Sequence, residues 1–213
     1  SNQAFPYMTH REIEIADTVA HASRISYIGE LGWELYVPSE AALPLYDRIC
    51  EAGTNFGLEN AGSFAMAGLR IEKGYCAWGH DIGPDDTPLQ AGMAFTTKLK
   101  GNSGFIGREA LEAERKLGLD RRRIMLSIDD PDVVLMGLEP ILINSKIRGY
   151  TTSAAYGHTA GRAVGIGYIR LDGESVQDII ARGGFEVEVA LSRHPATASL
   201  KPFYDPDGQR LHS

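Results

Sequence analysis

The periodicity of this 213-residue sequence changes near residues 118–122, and that change limits the folds open to it. Before this point, apolar residues recur at helical spacing over about 40–52, 62–73 and 107–117. Ser39 is the expected cap of the first of these helices, and residues 93–99 predict a strand. After it, only strand-length runs between turns remain, at 123–128, 140–143, 147–152, 163–170 and 185–191, with hairpin turns expected at Asn144-Ser145 and Gly183-Gly184. The sequence therefore predicts an α+β chain, with helices and strands in the part before this change and a small antiparallel β-sandwich or β-barrel after it.

The N-terminal part carries strand signals over residues 11–37. Gly29 and Gly32 predict a tight turn there, with Tyr27 on the strand before it and Glu34 on the strand after it. The alternation of a strand turns the Glu34 side chain away from those of its two neighbours. The run thus places an aromatic ring and a carboxylate on one hairpin.

Two interpretations of this hairpin stay open from the residues alone. A carboxylate accepts two parallel hydrogen bonds from an amidine-type N–H pair, and an aromatic group packs against a flat ring, so Tyr27 and Glu34 suit a pterin-like heterocycle. Alternatively, the segment is an ordinary amphipathic hairpin with Trp33 in the core and Glu34 in water.

Composition excludes several classes of protein. The formal net charge of −7 argues against a dedicated nucleic-acid-binding protein, and the absence of an 18-residue apolar run argues against a membrane-spanning helix. Cys50 and Cys76 lack partners at zinc spacing, so we expect two free thiols, no metal site and an intracellular protein. His80-Asp81 lies in a Gly/Pro-rich stretch, where a turn is a better interpretation than catalysis.

Several motifs, in order, resemble the aminomethyltransferase (glycine cleavage T-protein) superfamily. They are Tyr-x-Gly-Glu-x-Gly-x-Glu at 27–34, LRIEKGY at 69–75, HDI at 80–82, TPLQAG at 87–92 and FIGREAL at 105–111. The form EKGYCAWG at 72–79 followed by PDDTP at 84–88 is most similar to the branch that contains the sarcosine and dimethylglycine dehydrogenases and oxidases. The likeness runs from about residue 5 to residue 211. It implies a folate-binding α/β lobe over 5–118 and a small antiparallel β-barrel-like C-terminal domain over 119–211.

The resemblance implies that Glu34 and Tyr27 line a tetrahydrofolate site, with Glu34 binding the pterin. Arg70 and Glu72 match motif positions mainly as structural residues, and Arg70 is retained as a candidate cofactor-binding residue. Family members proper carry an arginine one turn before Arg70, where this sequence has Met66, which cannot pair with a carboxylate. This difference favours the branch in which the module is fused behind an FAD domain.

The family's catalytic aspartate belongs to a first lobe that precedes the matching segment, so we assign no catalytic residue. The implied function is tetrahydrofolate-dependent one-carbon transfer from a small methylated amine, with a missing N-terminal lobe as partner and FAD in a preceding domain. The implied location is the cytoplasm, or the mitochondrial matrix in a eukaryote. Two alternatives stay open: a non-catalytic folate-binding, regulatory or scaffold relative, and a segment that binds nothing by itself.

Overall fold

The computed structural model describes residues 2–101 and 103–212. The chain divides into two compact units, one comprising Ser1–Ala67 with Asp207–Ser213 and the other comprising Gly68–Pro206. The domain boundary expected near 118–122 stays a prediction, because a division by compactness does not test where one domain ends and the next begins.

The first unit is built on a three-stranded antiparallel sheet. Its strands, in spatial order, are β1 (His10–Ile15), β2 (Thr18–Ser23) and β3 (Glu34–Tyr36). A two-residue turn with positive φ at both Ala16 and Asp17 joins β1 to β2, as the twist of a tight hairpin requires. Ala20 and Ala22 are fully buried on one face of β2, and the other face of the sheet is polar.

Two helices follow close to their predicted bounds, α1 over Ser39–Gly53 and α2 over Ser63–Glu72. Leu45 is the buried anchor of α1. The expectation that Ser39 caps α1 is wrong, because Pro38 occupies the cap position and no side chain bonds there.

The second unit is dominated by a closed barrel of six antiparallel strands, in the order β4-β7-β6-β5-β8-β9. The strands are β4 (Arg121–Ile128), β5 (Pro140–Ile143), β6 (Lys146–Gly157), β7 (Arg162–Arg170), β8 (Phe185–Val189) and β9 (Ser192–Ser199). Two helices accompany them, α3 (Arg108–Leu117) before the barrel and α4 (Val176–Arg182) between β7 and β8. The predicted fold class is confirmed.

Alternating apolar side chains from all parts of the barrel fill its interior. Fully or almost fully buried members include Ile124, Leu126, Ile141, Ile169 and Val187. A second, smaller cluster covers the outside of the same wall, where Ile71 from the end of α2 packs with Met125, Val164 and Ile166. This double burial explains why β4 is apolar on both faces in its second half.

Several local expectations for the second unit are corrected. Residues 94–96 form a short 3₁₀ helix (Ala94–Thr96) where a strand over 93–99 was expected. Gly183-Gly184 joins α4 to β8 and is not a hairpin turn. The hairpin turn of this region is Ala190-Leu191, which joins β8 to β9. The turn predicted at Asn144-Ser145 is confirmed, since both residues have positive φ and connect β5 to β6.

No helix in the described part of the chain is long and apolar enough to cross a membrane.

Candidate functional site

Glu34 is the first residue of β3, and its carboxylate is exposed on the polar face of the sheet. The Tyr36 hydroxyl, two residues along the same face, donates a hydrogen bond of 2.6 Å to Glu34 Oε2. That hydrogen bond, together with the charge of Glu34, raises the pKa of Tyr36 above its ordinary value. The carboxylate and the phenol therefore form one polar unit at the edge of the sheet.

Tyr27 does not lie on a strand paired with Glu34, so this part of the hairpin prediction is wrong. Strand β2 ends at Ser23, and Ser23 is the residue opposite Glu34. Between them the chain makes a ten-residue loop over 24–33, in which Tyr27 is half-buried. Gly29 adopts a φ of 81° within this loop, so the glycine expected to permit a turn does so, but in a wider connection.

Arg24 holds the start of this loop and was missed in the sequence. Its side chain is fully buried, its Nη1 donates to the Phe5 carbonyl, and its Nη2 lies 3.3 Å from the Leu211 carbonyl oxygen. The guanidinium lies 5.4 Å from the centre of the Trp33 ring, and Phe5 meets that ring edge to face at 6.2 Å. The available signal was that Arg24 is the single cation in the run 24–35.

The open alternative for the hairpin is answered in part by exposure. Glu34 is in water, as the amphipathic interpretation requires, but Trp33 keeps 43% of its surface exposed and is not a core residue. Trp33 therefore ends the loop without entering the core, and the exposed side chains of Glu34 and Tyr36 leave this face of β3 accessible to a ligand or to another surface.

The polar face continues across the three strands. The His10 Nδ1 lies 2.8 Å from Ser23 Oγ, and the rings of His10 and His21 stack with centres 5.5 Å apart. In register, Ser23 lies between His10 and Glu34, while His21 lies opposite Tyr36. Two lateral rows of polar side chains thus converge on the Glu34–Tyr36 pair.

Arg70 lies in the second unit, whereas Tyr27 and Glu34 lie in the first. Its Nη1 forms a 2.8 Å ion pair with Asp81 Oδ2 and also donates to the Tyr75 carbonyl, while its Nη2 donates to Ser153 Oγ. The Arg70 and Asp81 side chains are 9% and 0% exposed. This geometry supports the structural interpretation of Arg70, and its direct contact with a cofactor stays a prediction.

Asp81 is the centre of this buried network. Its two carboxylate oxygens also accept hydrogen bonds from the Ala77 amide and from the Thr152 hydroxyl, and its carbonyl accepts one from the Tyr168 hydroxyl. Interpreting His80-Asp81 as a mere turn therefore understated Asp81, which is fully engaged inside the protein and joins the end of α2 to the barrel strands β6 and β7.

Glu72 has a comparable role at the end of α2. Its Oε1 accepts hydrogen bonds from the backbone amides of Thr159 and Ala160, in the turn after β6. A Cβ at Gly157 would come within 2.8 Å of that oxygen, so only glycine allows the approach. The motif at 69–75 thus serves to dock α2 on the barrel.

The remaining candidate groups are the cysteine thiols and the side chains that could bind a metal. Burial raises the pKa of the Cys76 thiol, which disfavours the thiolate. Neither Cys50 nor Cys76 is in a disulfide bond. Among residues 2–101 and 103–212, no three His, Cys, Asp or Glu side chains come together as metal ligands.

Comparison with known protein families gives one match in the N-terminal half of the chain and one in the C-terminal half. Residues 1–101 match the GCVT N-terminal domain, and residues 121–205 match the glycine cleavage T-protein C-terminal barrel domain. The chain belongs to the aminomethyltransferase (glycine cleavage T-protein) superfamily. The crystal structure of glycine cleavage system aminomethyltransferase T from Bartonella henselae covers 94% of the chain with a TM-score of 0.77, at 22% identity, and the chain covers 53% of that structure.

Two relatives show the range of proteins that contain a segment similar to this chain. The mouse mitochondrial sarcosine dehydrogenase is 43% identical over 213 residues, which are 99% of this chain and 23% of that protein. The mouse mitochondrial pyruvate dehydrogenase phosphatase regulatory subunit is 36% identical over 212 residues, covering 93% of this chain and 24% of that protein. The chain thus spans about a quarter of the length of these relatives.

Proposed function

We propose that this chain is the folate-binding part of an enzyme that transfers one-carbon units from a small methylated amine to tetrahydrofolate. The observation that carries the proposal is the exposed Glu34 carboxylate on the polar face of the T-protein sheet, held by Tyr36 at 2.6 Å. An exposed carboxylate is the acceptor that the adjacent N–H donors of a pterin ring require.

In this proposal Glu34 binds the pterin edge, and Tyr27 lines the site from the loop that Arg24 and Trp33 anchor. Arg70 stays a candidate cofactor-binding residue, and in the second unit its buried ion pair holds the segment up to Asp81. When bound, tetrahydrofolate supplies the nitrogen that accepts the one-carbon unit. The protein contributes orientation and exclusion of water, and no residue of this chain is assigned to proton transfer.

The partners of the site follow from the relatives. The sarcosine dehydrogenase is about four times as long as the matching segment, so we propose that an additional lobe, and a flavin domain in front of it, complete the enzyme. The names of the mouse relatives place those proteins in mitochondria, so a matrix location is proposed for a eukaryotic source and the cytoplasm otherwise.

The test is to titrate tetrahydrofolate by calorimetry into the natural polypeptide that carries this sequence. Glu34→Ala removes a charge-assisted pair of hydrogen bonds, so affinity falls roughly tenfold to a hundredfold. Glu40→Ala, which removes another exposed carboxylate of the same unit, serves as the matched control and leaves affinity unchanged. Equal affinity of wild type and Glu34→Ala contradicts the proposal.

A second candidate function is a non-catalytic, regulatory relative, and the match to a phosphatase regulatory subunit favours it. The two candidates separate on turnover. Formation of 5,10-methylenetetrahydrofolate from sarcosine or dimethylglycine supports the enzyme, whereas folate binding without any product from methylated amines supports the regulatory alternative.

A further inference from the structure

The side chain next to the proposed pterin acceptor has a geometry that the proposed function does not use. Tyr36 lies two residues after Glu34 on the same strand face, and its hydroxyl donates to Oε2 at 2.6 Å. The phenol is 56% exposed, so burial does not force it into this position. The contact with Glu34 is therefore a specific interaction at the surface.

The hydrogen bond restricts the carboxylate without saturating it. An ionised carboxylate offers about four acceptor directions on two oxygens. Tyr36 occupies one direction on Oε2, which leaves one on that oxygen and two on Oε1. Two parallel hydrogen bonds from an adjacent N–H pair need one direction on each oxygen, so the bound tyrosine and the bidentate ligand are compatible.

We propose that Tyr36 is a positioning residue for the cofactor site, and that its hydroxyl pre-orients the Glu34 carboxylate for a ring with adjacent N–H donors. This inference rests on the proposed function of Glu34. An exposed glutamate otherwise samples many rotamers, and each ordered side chain lowers the affinity of the ligand that orders it. A carboxylate already held by Tyr36 avoids most of that loss.

The neighbouring strand places polar side chains beside the tyrosine. His21 lies opposite Tyr36 in the β2–β3 register and stacks on His10, whose ring contacts Ser23 opposite Glu34. The titratable side chains that share this face with Tyr36 are Glu34, His21, His10, Glu12 and Glu14.

The experiment compares Tyr36→Phe with wild type in the natural polypeptide that carries this sequence, with two probes titrated by calorimetry. Tetrahydrofolate carries the pterin, whereas p-aminobenzoylglutamate carries only the tail. Loss of pre-orientation weakens tetrahydrofolate about three- to tenfold and leaves p-aminobenzoylglutamate unchanged. Tyr46→Phe is the matched control, because Tyr46 is 47% exposed in the same unit and lies on α1 away from the sheet.

A spectroscopic measurement gives an independent readout. The absorbance at 295 nm of wild type minus Tyr36→Phe follows the ionisation of Tyr36 alone. We expect this titration above the ordinary tyrosine range, and a return towards it in the Glu34→Gln background, since Glu34 is the main cause of the raised pKa. An unchanged titration in that background overturns the inference.

The outcomes also separate this inference from the proposed function. If Glu34→Ala weakens tetrahydrofolate and Tyr36→Phe does not, the positioning role is wrong and the pterin acceptor stands. If Tyr36→Phe weakens both probes equally, or lowers the denaturant midpoint, its role is structural and the inference fails. If Glu34→Ala has no effect on tetrahydrofolate, the proposed function fails.

Discussion

At the scale of single residues, the ion pairs of this protein differ widely in burial. The Arg70–Asp81 pair is almost completely buried, whereas the Arg193–Glu188 pair, at 3.4 Å, keeps 44% and 26% of its side chains exposed. Burial removes the hydration of both ions. Removing one member of a buried ion pair therefore lowers the stability of the protein far more than removing one member of an exposed pair. The two pairs therefore differ in what their removal does to stability.

We expect Asp81→Ala to lower the free energy of unfolding by about 3–5 kcal/mol, because it leaves the Arg70 guanidinium buried without its counter-charge. Glu188→Ala, which breaks the exposed pair, costs less than about 1 kcal/mol. Urea unfolding curves of both variants provide the measurement. Similar urea midpoints for the two variants would contradict the argument that an unpaired buried guanidinium is costly.

The thiol of Cys76 gives a second prediction at this scale. Burial, the largest cause, raises its pKa, so less thiolate is present at a given pH than in an unfolded chain. The test uses a Cys50→Ser variant and measures its rate of reaction with Ellman's reagent as a function of pH. The increase in this rate should occur at higher pH in the folded protein than in the same variant unfolded in guanidinium. Coincident pH profiles would exclude a burial effect on the thiol.

At the scale of elements, turns explain both the successes and the errors of the sequence interpretation. The Asn144-Ser145 turn was predictable because asparagine tolerates positive φ, whereas Ala190-Leu191 adopts the same conformation with residues that rarely do. The strand that follows the last of these turns was missed for that reason. A glycine-rich run, in contrast, predicted a tight turn where the structure has the 24–33 loop.

Gly118, which ends α3, allows a test of backbone strain without steric contact. It has φ 89° and ψ 156°, and a Cβ there would meet no atom within 4 Å. Gly118→Ala is expected to lower the free energy of unfolding by about 1–3 kcal/mol, since this region is essentially restricted to glycine. Gly104 is equally open but has no such positive φ, so Gly104→Ala should be close to neutral or slightly stabilising. Equal effects in thermal unfolding would contradict the backbone explanation.

At the scale of the whole molecule, the two ends of the described chain belong to the same unit. Leu211 is 7% exposed, its carbonyl lies within 3.3 Å of Arg24, and His212 meets Tyr7 edge to face at 5.3 Å. The last residues therefore complete the small core that supports the loop before Glu34. The barrel, in Gly68–Pro206, does not include them.

A chain that stops at Pro206 is accordingly expected to lose stability in the first unit and keep it in the barrel. Hydrogen exchange monitored by mass spectrometry should show faster exchange for peptides of β2 and unchanged exchange for peptides of β4 and β7. The intact chain is the control. Unchanged protection of β2 would show that Arg24 and its neighbours do not depend on Leu211.

The fold was predictable from the sequence to the level of its two patterns, helices before the change in periodicity and strands after it. The candidate site was predictable only in part. Glu34 was found because an acid beside a glycine-rich run is conspicuous. Tyr36 shares its strand face by simple alternation, but the hydrogen bond between the two side chains depends on their rotamers, which no sequence pattern reveals. Arg24 and Asp81 owe their roles to carbonyls and strands up to 187 residues away, so local patterns could not identify them.

The closure of the barrel has a consequence for chain connectivity. Its first and last strands are neighbours, with Met125 of β4 opposite Ser199 of β9. Arg121, where β4 begins, lies only about 13 Å further along that strand. A short linker can therefore join the natural ends of the barrel, and new ends can open at Asn144-Ser145. Circular permutation would preserve every pairing of the barrel, because its architecture depends on which strands adjoin and not on the order in which they are synthesised.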